Sequence, residues 1–269
     1  MRTICVMNHK GGVGKTTTAV NLSAGLSRRN KRVILIDLDP QSNIGLSLRL
    51  KANFTLYDAM KGSVTLDDCI LRLAKNFDVI TSSETLAKAE YYLSTQPNSK
   101  NVIRNLLGSI QGYDFMIVDC PPSLGVLNQN VLAFCKEVFV PTSTDFLGLD
   151  ALKKMNGIVD QINKAYDHNL RITKVIPTLF DKRAKNCKET LEEMRVLFPD
   201  KVTDPIRRNS KVREAPKYGK SIFKYAKSSP GAHDYNKLVD NVIEMGTMRV
   251  VQEVMVEQEP SFDPFSNSF

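Results

Sequence analysis

The chain has 269 residues, of which 42% are hydrophobic and 25% are charged, as in an ordinary globular domain. No stretch of 18 apolar residues occurs and the N-terminus lacks a long apolar run, so neither a membrane-spanning helix nor a signal peptide is expected. The net charge of +8 is concentrated in residues 171–227, which hold 16 Lys and Arg against 7 Asp and Glu. Such a segment is typical of proteins that bind polyanions, with a merely solvated basic face as the alternative.

The first predicted elements are a strand, a glycine-rich turn and a helix. Residues 3–7 read as a short buried strand and residues 16–29 as an amphipathic helix. Between them, NHKGGVGKTT ends in Gly14-Lys15-Thr16, the last part of the phosphate-binding pattern G-x-x-x-x-G-K-[ST], with His9 in place of the first glycine. A helix N-terminus behind a glycine loop binds anions through free backbone N–H groups. The alternative is a glycine turn without a ligand.

Apolar strands and helical stretches then alternate along the chain. Further strands are expected at 32–37, 77–80, 115–119, 137–141 and 172–180, helices at 56–60, 66–73, 84–93, 101–110, 124–135, 149–165, 187–197 and 233–250, and a turn at 96–99. This alternation predicts an α/β fold with a doubly wound, mostly parallel sheet flanked by helices, which binds ligands at the carboxyl ends of its strands.

One domain is expected over residues 1–250, because no shift in composition marks a second one. Residues 251–269 hold four acids and no Lys or Arg, and we predict that they form a disordered acidic tail. The five cysteines form no C-x-x-C pair, which argues against a metal or redox site. Cys5 and Cys120 lie in apolar strands, and we expect them to be reduced core residues of a cytosolic protein.

Two predicted strands end in acidic residues. Asp37 and Asp39 follow the second strand, in LIDLDPQSN, and Asp119 follows four apolar residues in FMIVD. The second pattern is the Walker B arrangement, in which a carboxylate holds Mg²⁺, usually through water, while a loop hydroxyl, here Thr16, coordinates the ion directly. A single aspartate at a strand end can also cap a turn. Three acids behind a phosphate loop predict a magnesium–nucleotide site.

Five segments together resemble the ParA/Soj partition ATPases, in the deviant Walker A family of P-loop NTPases that also includes MinD. They are KGGVGKTT, LIDLDPQSN, YDFMIVDCPPSLG, TLFDKRAKN and NSKVREAPKYGKSI, and they occur in family order between about residues 1 and 245. The stretch 208–222 is more particular to the partition branch. The resemblance implies slow hydrolysis of ATP with Mg²⁺, stimulated by a partner.

The resemblance also assigns roles at the loop. The lysine before the glycines is the family signature: two monomers sandwich two ATP molecules, Lys10 reaches the phosphates bound by the other subunit, and Lys15 acts within its own. Gly12 and Lys10 would then lie at the dimer contact, where a side chain at Gly12 would obstruct the sandwich. Asp39 matches the aspartate that positions the attacking water, and Asp37 would support the metal held by Thr16 and Asp119.

The implied nucleotide contacts extend through the loop and to one distant arginine. They are Lys10, Gly11, Gly12, Val13, Gly14, Lys15, Thr16, Thr17 and Arg207. Relatives commonly carry Pro-Arg-Asn near the adenine pocket, whereas this chain has Arg207-Arg208-Asn209 with Pro205 displaced by two positions. Selectivity for adenine is therefore implied by the family and not by these residues.

For the basic segment, the resemblance implies DNA binding without sequence preference. Arg183 and Lys211 stand at positions that match basic DNA contacts of the family. Nearby cations that would extend this surface are Lys182, Lys185, Arg208, Arg213, Lys217 and Lys220. Phosphate contacts of this kind give salt-dependent binding without readout of bases.

The function implied is an ATP-bound homodimer that coats the nucleoid in the cytoplasm and segregates plasmid or chromosomal DNA with a ParB-like partner. The chain starts at its first strand, so we expect no N-terminal helix-turn-helix extension. The same switch could instead position a protein cargo, such as a carboxysome or a chemoreceptor cluster, and the residues do not separate these two functions.

Three other classes fit the sequence less well. A MinD-like membrane regulator needs a C-terminal amphipathic helix, usually basic, whereas residues 250–265 are acidic and contain prolines. An iron–sulfur carrier needs cysteine pairs. A metabolic P-loop ligase would leave the basic segment without a role.

Overall fold

The computed structural model describes residues 1–96 and 99–257, with side chains described up to residue 245 in the last helix. Within these residues, the strands are β1 (Arg2–Val6), β2 (Val33–Asp37), β3 (Ile70–Ala74), β4 (Phe77–Ile80), β5 (Phe115–Asp119), β6 (Glu137–Ser143) and β7 (Arg171–Thr178). They form one sheet in the order β3-β4-β2-β5-β1-β6-β7. All neighbouring strands are parallel except the pair β3 and β4. The predicted doubly wound, mostly parallel sheet is confirmed.

Helices flank the sheet. The α-helices are α1 (Lys15–Arg28), α2 (Asn43–Leu48), α3 (Leu56–Met60), α4 (Ala89–Thr95), α5 (Val102–Gly108), α6 (Val126–Phe134), α7 (Phe146–Tyr166), α8 (Lys185–Leu197), α9 (Ser210–Glu214), α10 (Ile222–Tyr225) and α11 (Pro230–Glu257). Short 3-10 helices are Asp67–Cys69, Glu84–Lys88, Ser99–Asn101 and Ala215–Tyr218. Across the described part of the chain, no helix combines the length and apolarity that crossing a bilayer requires.

The sheet is buried on both faces because its apolar side chains alternate between two cores. Along β1 and the residue after it, Ile4 and Val6 belong to the core under α1, α10 and α11, whereas Cys5 and Met7 belong to the core under α3 to α8. All four side chains are fully buried. With both faces covered, the carboxyl ends of the strands are the open edge where polar loops can meet a ligand.

The helix predicted at 66–73 is wrong. Leu66, Cys69, Ile70 and Leu73 have helical spacing, but the structure has the short 3-10 helix followed by β3. β3 pairs antiparallel with β4, with Ile70 opposite Ile80. Pairing at the sheet edge outweighs the local periodicity, as is common for short apolar runs.

The end of the chain also differs from the prediction. Helix α11 continues to Glu257, beyond the predicted end at residue 250, so residues 251–257 of the predicted disordered tail are helical. No proline occurs between Pro230 and Pro260, so the sequence has no proline that would end the helix earlier. Residues 258–269, and residues 97–98 of the predicted turn, lie outside the described residues.

Candidate functional site

The loop between β1 and α1 has the geometry of an anion cradle. Gly12 and Gly14 have φ of +73° and +88°, backbone conformations that glycine adopts without strain. Gly14 is the N-cap of α1 and supplies no side-chain cap, so the first N–H groups of a 14-residue helix remain available to a ligand. A Cβ placed on Gly11 or Gly12 would meet no atom within 4 Å. The outer side of the loop is therefore open.

Contacts with neighbouring strands hold the loop in place. The Val13 carbonyl accepts a hydrogen bond of 2.8 Å from the Thr178 hydroxyl at the end of β7. His9, which replaces the usual first glycine, places Nδ1 3.0 Å from the Pro122 carbonyl after β5. Thr16 and Thr17 lie in the first turn of α1, at the carboxyl edge of the sheet. The local sequence thus builds the predicted loop without the first glycine.

The two lysines of the loop have different partners. Lys15 is 8% exposed, and its ammonium donates to the Lys10 carbonyl at 3.0 Å. Burial lowers the pKa of Lys15, and the charges of Asp119 and Asp39 oppose that shift. An ammonium this deeply placed, facing the inside of the loop, is suited to an anionic ligand.

Lys10 folds back onto its own subunit. Its ammonium donates to Asp145 Oδ1 at 2.7 Å and to the Ser143 hydroxyl at 3.1 Å, both at the carboxyl end of β6. Asp145 is also the N-cap of α7 and accepts from the Gly148 N–H at 2.7 Å. Partial burial acts to raise the pKa of Asp145, but the hydrogen bonds from Lys10 and Gly148 lower it overall. Asp145 was not among the residues predicted from the sequence, although an aspartate between a strand and an apolar helix is a typical N-cap signal.

Asp37 and Asp119 lie side by side at the ends of β2 and β5, where they are register partners. Asp37 is fully buried and accepts hydrogen bonds from the N–H groups of Asp39 and Ile44, each at 3.0 Å. Burial raises its pKa to about 7, against the lowering effect of those N–H groups. The structure therefore places Asp37 where it shapes the loop that carries Asp39.

Asp119 is 1% exposed, and among the described residues neither of its carboxylate oxygens accepts a hydrogen bond within 3.5 Å. Burial and the nearby charge of Asp37 raise its pKa, whereas Thr16 and Lys15 act in the opposite direction. A buried carboxylate without a partner is unfavourable unless a proton or a cation compensates it. Its position beside Thr16 fits a bound cation at the predicted place.

A cation at this point needs ligands beyond the protein. Among the described residues, no group of three or more His, Cys, Asp or Glu side chains could hold a metal by itself. Mg²⁺ is normally bound through one or two carboxylates, waters and substrate phosphates. One hydroxyl at Thr16 and one free carboxylate at Asp119 behind a phosphate loop match that donor set.

Asp39 occupies a polar turn at the mouth of the site. Its carboxylate accepts from the Gln41 N–H at 3.0 Å and from the Asn43 side-chain amide at 3.3 Å. Its backbone carbonyl accepts from the Ser82 hydroxyl, which follows β4. These contacts orient the carboxylate while leaving it partly exposed.

Part of the basic segment lies beside this site, because Thr178, which bonds to Val13 of the loop, precedes the turn that carries Lys182 and Arg183. The Arg208 N–H donates to the Phe180 carbonyl at 3.0 Å, which joins the loop after β7 to the loop before α9. All eight predicted DNA contacts are exposed: Lys182, Arg183, Lys185, Arg208, Lys211, Arg213, Lys217 and Lys220. Arg183 pairs with Asp181 at 3.2 Å and Lys211 with Glu214 at 2.8 Å. These acidic partners are also exposed or partly exposed, so replacing each ion pair with a contact to a phosphate costs little free energy.

Arg207 behaves differently from its basic neighbours. Its guanidinium forms several hydrogen bonds with the buried Asp234 of α11, the shortest at 2.6 Å. Its backbone N–H donates to the same carboxylate at 3.0 Å. This pairing anchors the loop before α9 to α11. A contact between Arg207 and a nucleotide remains a prediction.

Comparisons with known proteins identify relatives over most of the chain. The family model described as an AAA domain matches residues 1–172. The chain is 36% identical to the sporulation initiation inhibitor protein Soj of Bacillus subtilis, over 90% of this chain and 98% of that protein. It is 34% identical to the chromosome partitioning protein ParA of Myxococcus xanthus, over 87% of this chain and 85% of that protein. Among solved structures, the cobyrinic acid a,c-diamide synthase of Mycobacterium smegmatis with bound ADP and magnesium has a TM-score of 0.78 at 26% identity, over 92% of this chain and 96% of that chain.

Proposed function

Because the chain belongs to the ParA/Soj family of partition ATPases, we propose that it is an ATP-gated DNA-binding switch. In this proposal it dimerises on ATP, binds DNA without sequence preference, and segregates plasmid or chromosomal DNA at the nucleoid, in the cytoplasm. A ParB-like partner stimulates hydrolysis and so releases it. The observation that carries the proposal is a contact between two features. The phosphate loop, backed by the buried carboxylate of Asp119, is bonded through Val13 to Thr178, at the end of the strand that leads into the exposed cations Lys182 and Arg183.

The nucleotide is ATP, and the metal is Mg²⁺. The related diamide synthase structure with ADP and magnesium supports this assignment. Thr16 and Asp119 would hold the ion, which neutralises charge on the phosphates when bound. Lys15 would exchange its bond to the Lys10 carbonyl for the phosphates, and the N–H groups at the start of α1 would bind the same anion. Phosphoryl transfer depends mainly on such positioning and charge neutralisation.

Asp39 orients the attacking water in this proposal. The Gln41 and Asn43 contacts hold its carboxylate, and the buried Asp37 holds the backbone that carries it. The hydrolytic group therefore sits on a turn rather than in the rigid sheet. Such a placement suits slow turnover that a partner can accelerate by ordering the turn.

Lys10 acts between subunits. Its ammonium would leave Asp145 and bind the phosphates held by a second copy, so that ATP joins the dimer. The open side of Gly11 and Gly12 supports close approach of that copy at the loop. An ammonium at such an interface is unfavourable alone and favourable opposite a triphosphate.

The test is retention of a non-specific DNA duplex with no nucleotide, with ADP and with ATP, at two salt concentrations. The proposal expects retention with ATP only, weakened by salt because the contacts are to phosphates. Equal retention in all three states would show a basic surface that is not coupled to the nucleotide. Absence of retention in every state would remove DNA from the function.

A further inference from the structure

Helix α2 begins at the hydrolytic carboxylates. The Ile44 N–H donates to Asp37 Oδ2 at 3.0 Å, and the Asn43 amide donates to Asp39 Oδ2 at 3.3 Å. One residue before the helix, the Ser42 N–H donates to the Asp39 carbonyl at 2.9 Å. A displacement of Asp39 therefore acts directly on the first turn of α2.

The other end of α2 rests on the basic surface. Arg49, the C-cap of the helix, donates from Nη2 to the Lys217 carbonyl at 2.5 Å, across 168 residues of sequence. Its aliphatic stem lies against Gly219, where an added Cβ would come within 3.1 Å of Arg49 Cγ and Cδ. Gly219 has φ of +65° and ends the 3-10 helix that precedes Lys220. Arg49 thus contacts the backbone that carries two of the eight surface cations.

Left-handed residues other than glycine bracket the helix. Ser42 has φ of +51° and Arg49 has φ of +52°. Such conformations are uncommon for residues with side chains and persist only where the surroundings hold them. A six-residue helix, about 9 Å long, with a strained residue at each end can tilt about those two points, as short elements do in hinge motions.

From these contacts we infer that α2 couples the nucleotide site to the DNA surface, and that Arg49 is the positioning residue through which it acts. The inference rests on the proposed function and adds the structural connection between the nucleotide site and the DNA surface. Movement of Asp39 on binding ATP tilts α2 about Ser42, and Arg49 then shifts the backbone at Lys217 and Gly219. This backbone then has two positions, one without ATP and one with ATP. Only in the ATP-bound position do the cations of the basic surface meet DNA phosphates. Coupling of this kind is reciprocal, so DNA also favours the ATP-bound arrangement.

The experiment measures the affinity for a fluorescent non-specific duplex with a non-hydrolysable ATP analogue and with ADP, and takes the ratio of the two affinities. Arg49→Ala removes the contact with Lys217. Gly219→Ala disturbs the same contact from the opposite side and leaves the charge unchanged. Both variants should lower the ratio by about fivefold or more, the lower range of typical allosteric coupling, while ATP-dependent dimerisation measured by light scattering stays as in the wild type.

Lys51→Ala is the matched control, because Lys51 is an exposed cation two residues after Arg49. Loss of its charge should leave the ratio unchanged, whatever its effect on affinity in each state. Wild-type ratios in both Arg49→Ala and Gly219→Ala would overturn the inference and leave the proposed function standing. If the wild-type protein binds DNA equally with the analogue and with ADP, both the inference and the proposed function are overturned. Melting curves identify a variant that fails to fold, and the other variant then decides.

Discussion

The ammonium of Lys10 lies 2.7 Å from Oδ1 of Asp145, and this ion pair holds the lysine on its own subunit. Asp145 is 44% exposed and Lys10 27% exposed at their side chains, so water weakens the pair. Before Lys10 can bind phosphates across a dimer, it has to leave this partner. If Lys10 acts across the dimer as proposed, we expect this pair to oppose dimerisation by a modest amount.

Asp145→Asn should strengthen the ATP-dependent dimer by roughly twofold to fivefold, the range expected for a partly exposed ion pair. Asparagine still accepts the hydrogen bond from the Gly148 N–H and so preserves the N-cap of α7. Sedimentation at several protein concentrations with ATP measures the effect. Asp150→Asn, which removes the surface pair with Lys154 on the same helix, is the control. Equal dimer affinity in both variants would show that Asp145 does not restrain Lys10.

The two loop lysines should separate nucleotide binding from dimerisation. Lys15→Ala should weaken ATP binding by more than about tenfold, or about 1.4 kcal/mol, because it removes the buried ammonium inside the loop. Lys10→Ala should retain ATP binding as a monomer and lose the dimer. Fluorescent nucleotide titration and light scattering measure the two properties. Normal ATP affinity in Lys15→Ala would contradict the assignment of the loop.

Asp39→Ala should bind ATP, dimerise, and remain dimeric because hydrolysis stops. The carboxylate is held by the Gln41 and Asn43 contacts and has no part in holding the loop glycines. Phosphate release and the lifetime of the dimer after ATP addition provide the measurement. Turnover at the wild-type rate would remove Asp39 from the mechanism.

Lys211→Glu should dimerise normally and lose most DNA retention with ATP, because the reversed charge repels DNA phosphates from the basic surface. Lys154→Glu is the control, since it also reverses a lysine that is paired with an acid, but on α7 and outside residues 171–227. The salt dependence of retention should become shallower only in Lys211→Glu. Similar retention in the two variants would place the DNA surface elsewhere.

The contribution of Asp37 to the stability of the nucleotide-free protein should fall as the pH rises from about 4 to 7. Burial raises the pKa of Asp37 from 3.8 to about 7. Between these values the folded protein keeps a proton that the unfolded chain has released, so increasing pH favours unfolding, and the effect ends above pH 7. The raised pKa of Asp119 acts in the same direction.

Urea unfolding at four pH values measures this dependence. Asp37→Asn lacks the titrating group and should lose less stability across the same range than the wild type. If the two proteins lose stability in parallel, Asp37 does not hold the proton.

Local patterns predicted much of the fold and the centre of the site. The glycine loop, the acids at the ends of β2 and β5, and the parallel sheet all follow from residues adjacent in sequence, because strand, turn and helix signals act over a few residues. The prediction of a helix at 66–73 was wrong because a contact with residues outside these patterns decided the structure of this segment. Its periodicity was helical, but pairing with β4 decided its conformation.

The partners of the site residues could not be predicted in the same way. Lys10 contacts Asp145 across 135 residues, Arg207 contacts Asp234 across 27, and Arg49 contacts Lys217 across 168. Nothing local to either member of such a pair indicates the other. A strand order in which β1 lies between β5 and β6 brings the first pair together.

The sequence alone determined which residues we predict to bind phosphates, a metal and DNA, because those predictions depend on side-chain chemistry and on short loops. The tertiary structure decided what state they occupy: Lys10 held by Asp145, Asp119 left without a partner, and Asp39 joined through α2 to Lys217. These relationships depend on distances between elements, which the packing of helices on both faces of the sheet sets only once the whole chain has folded.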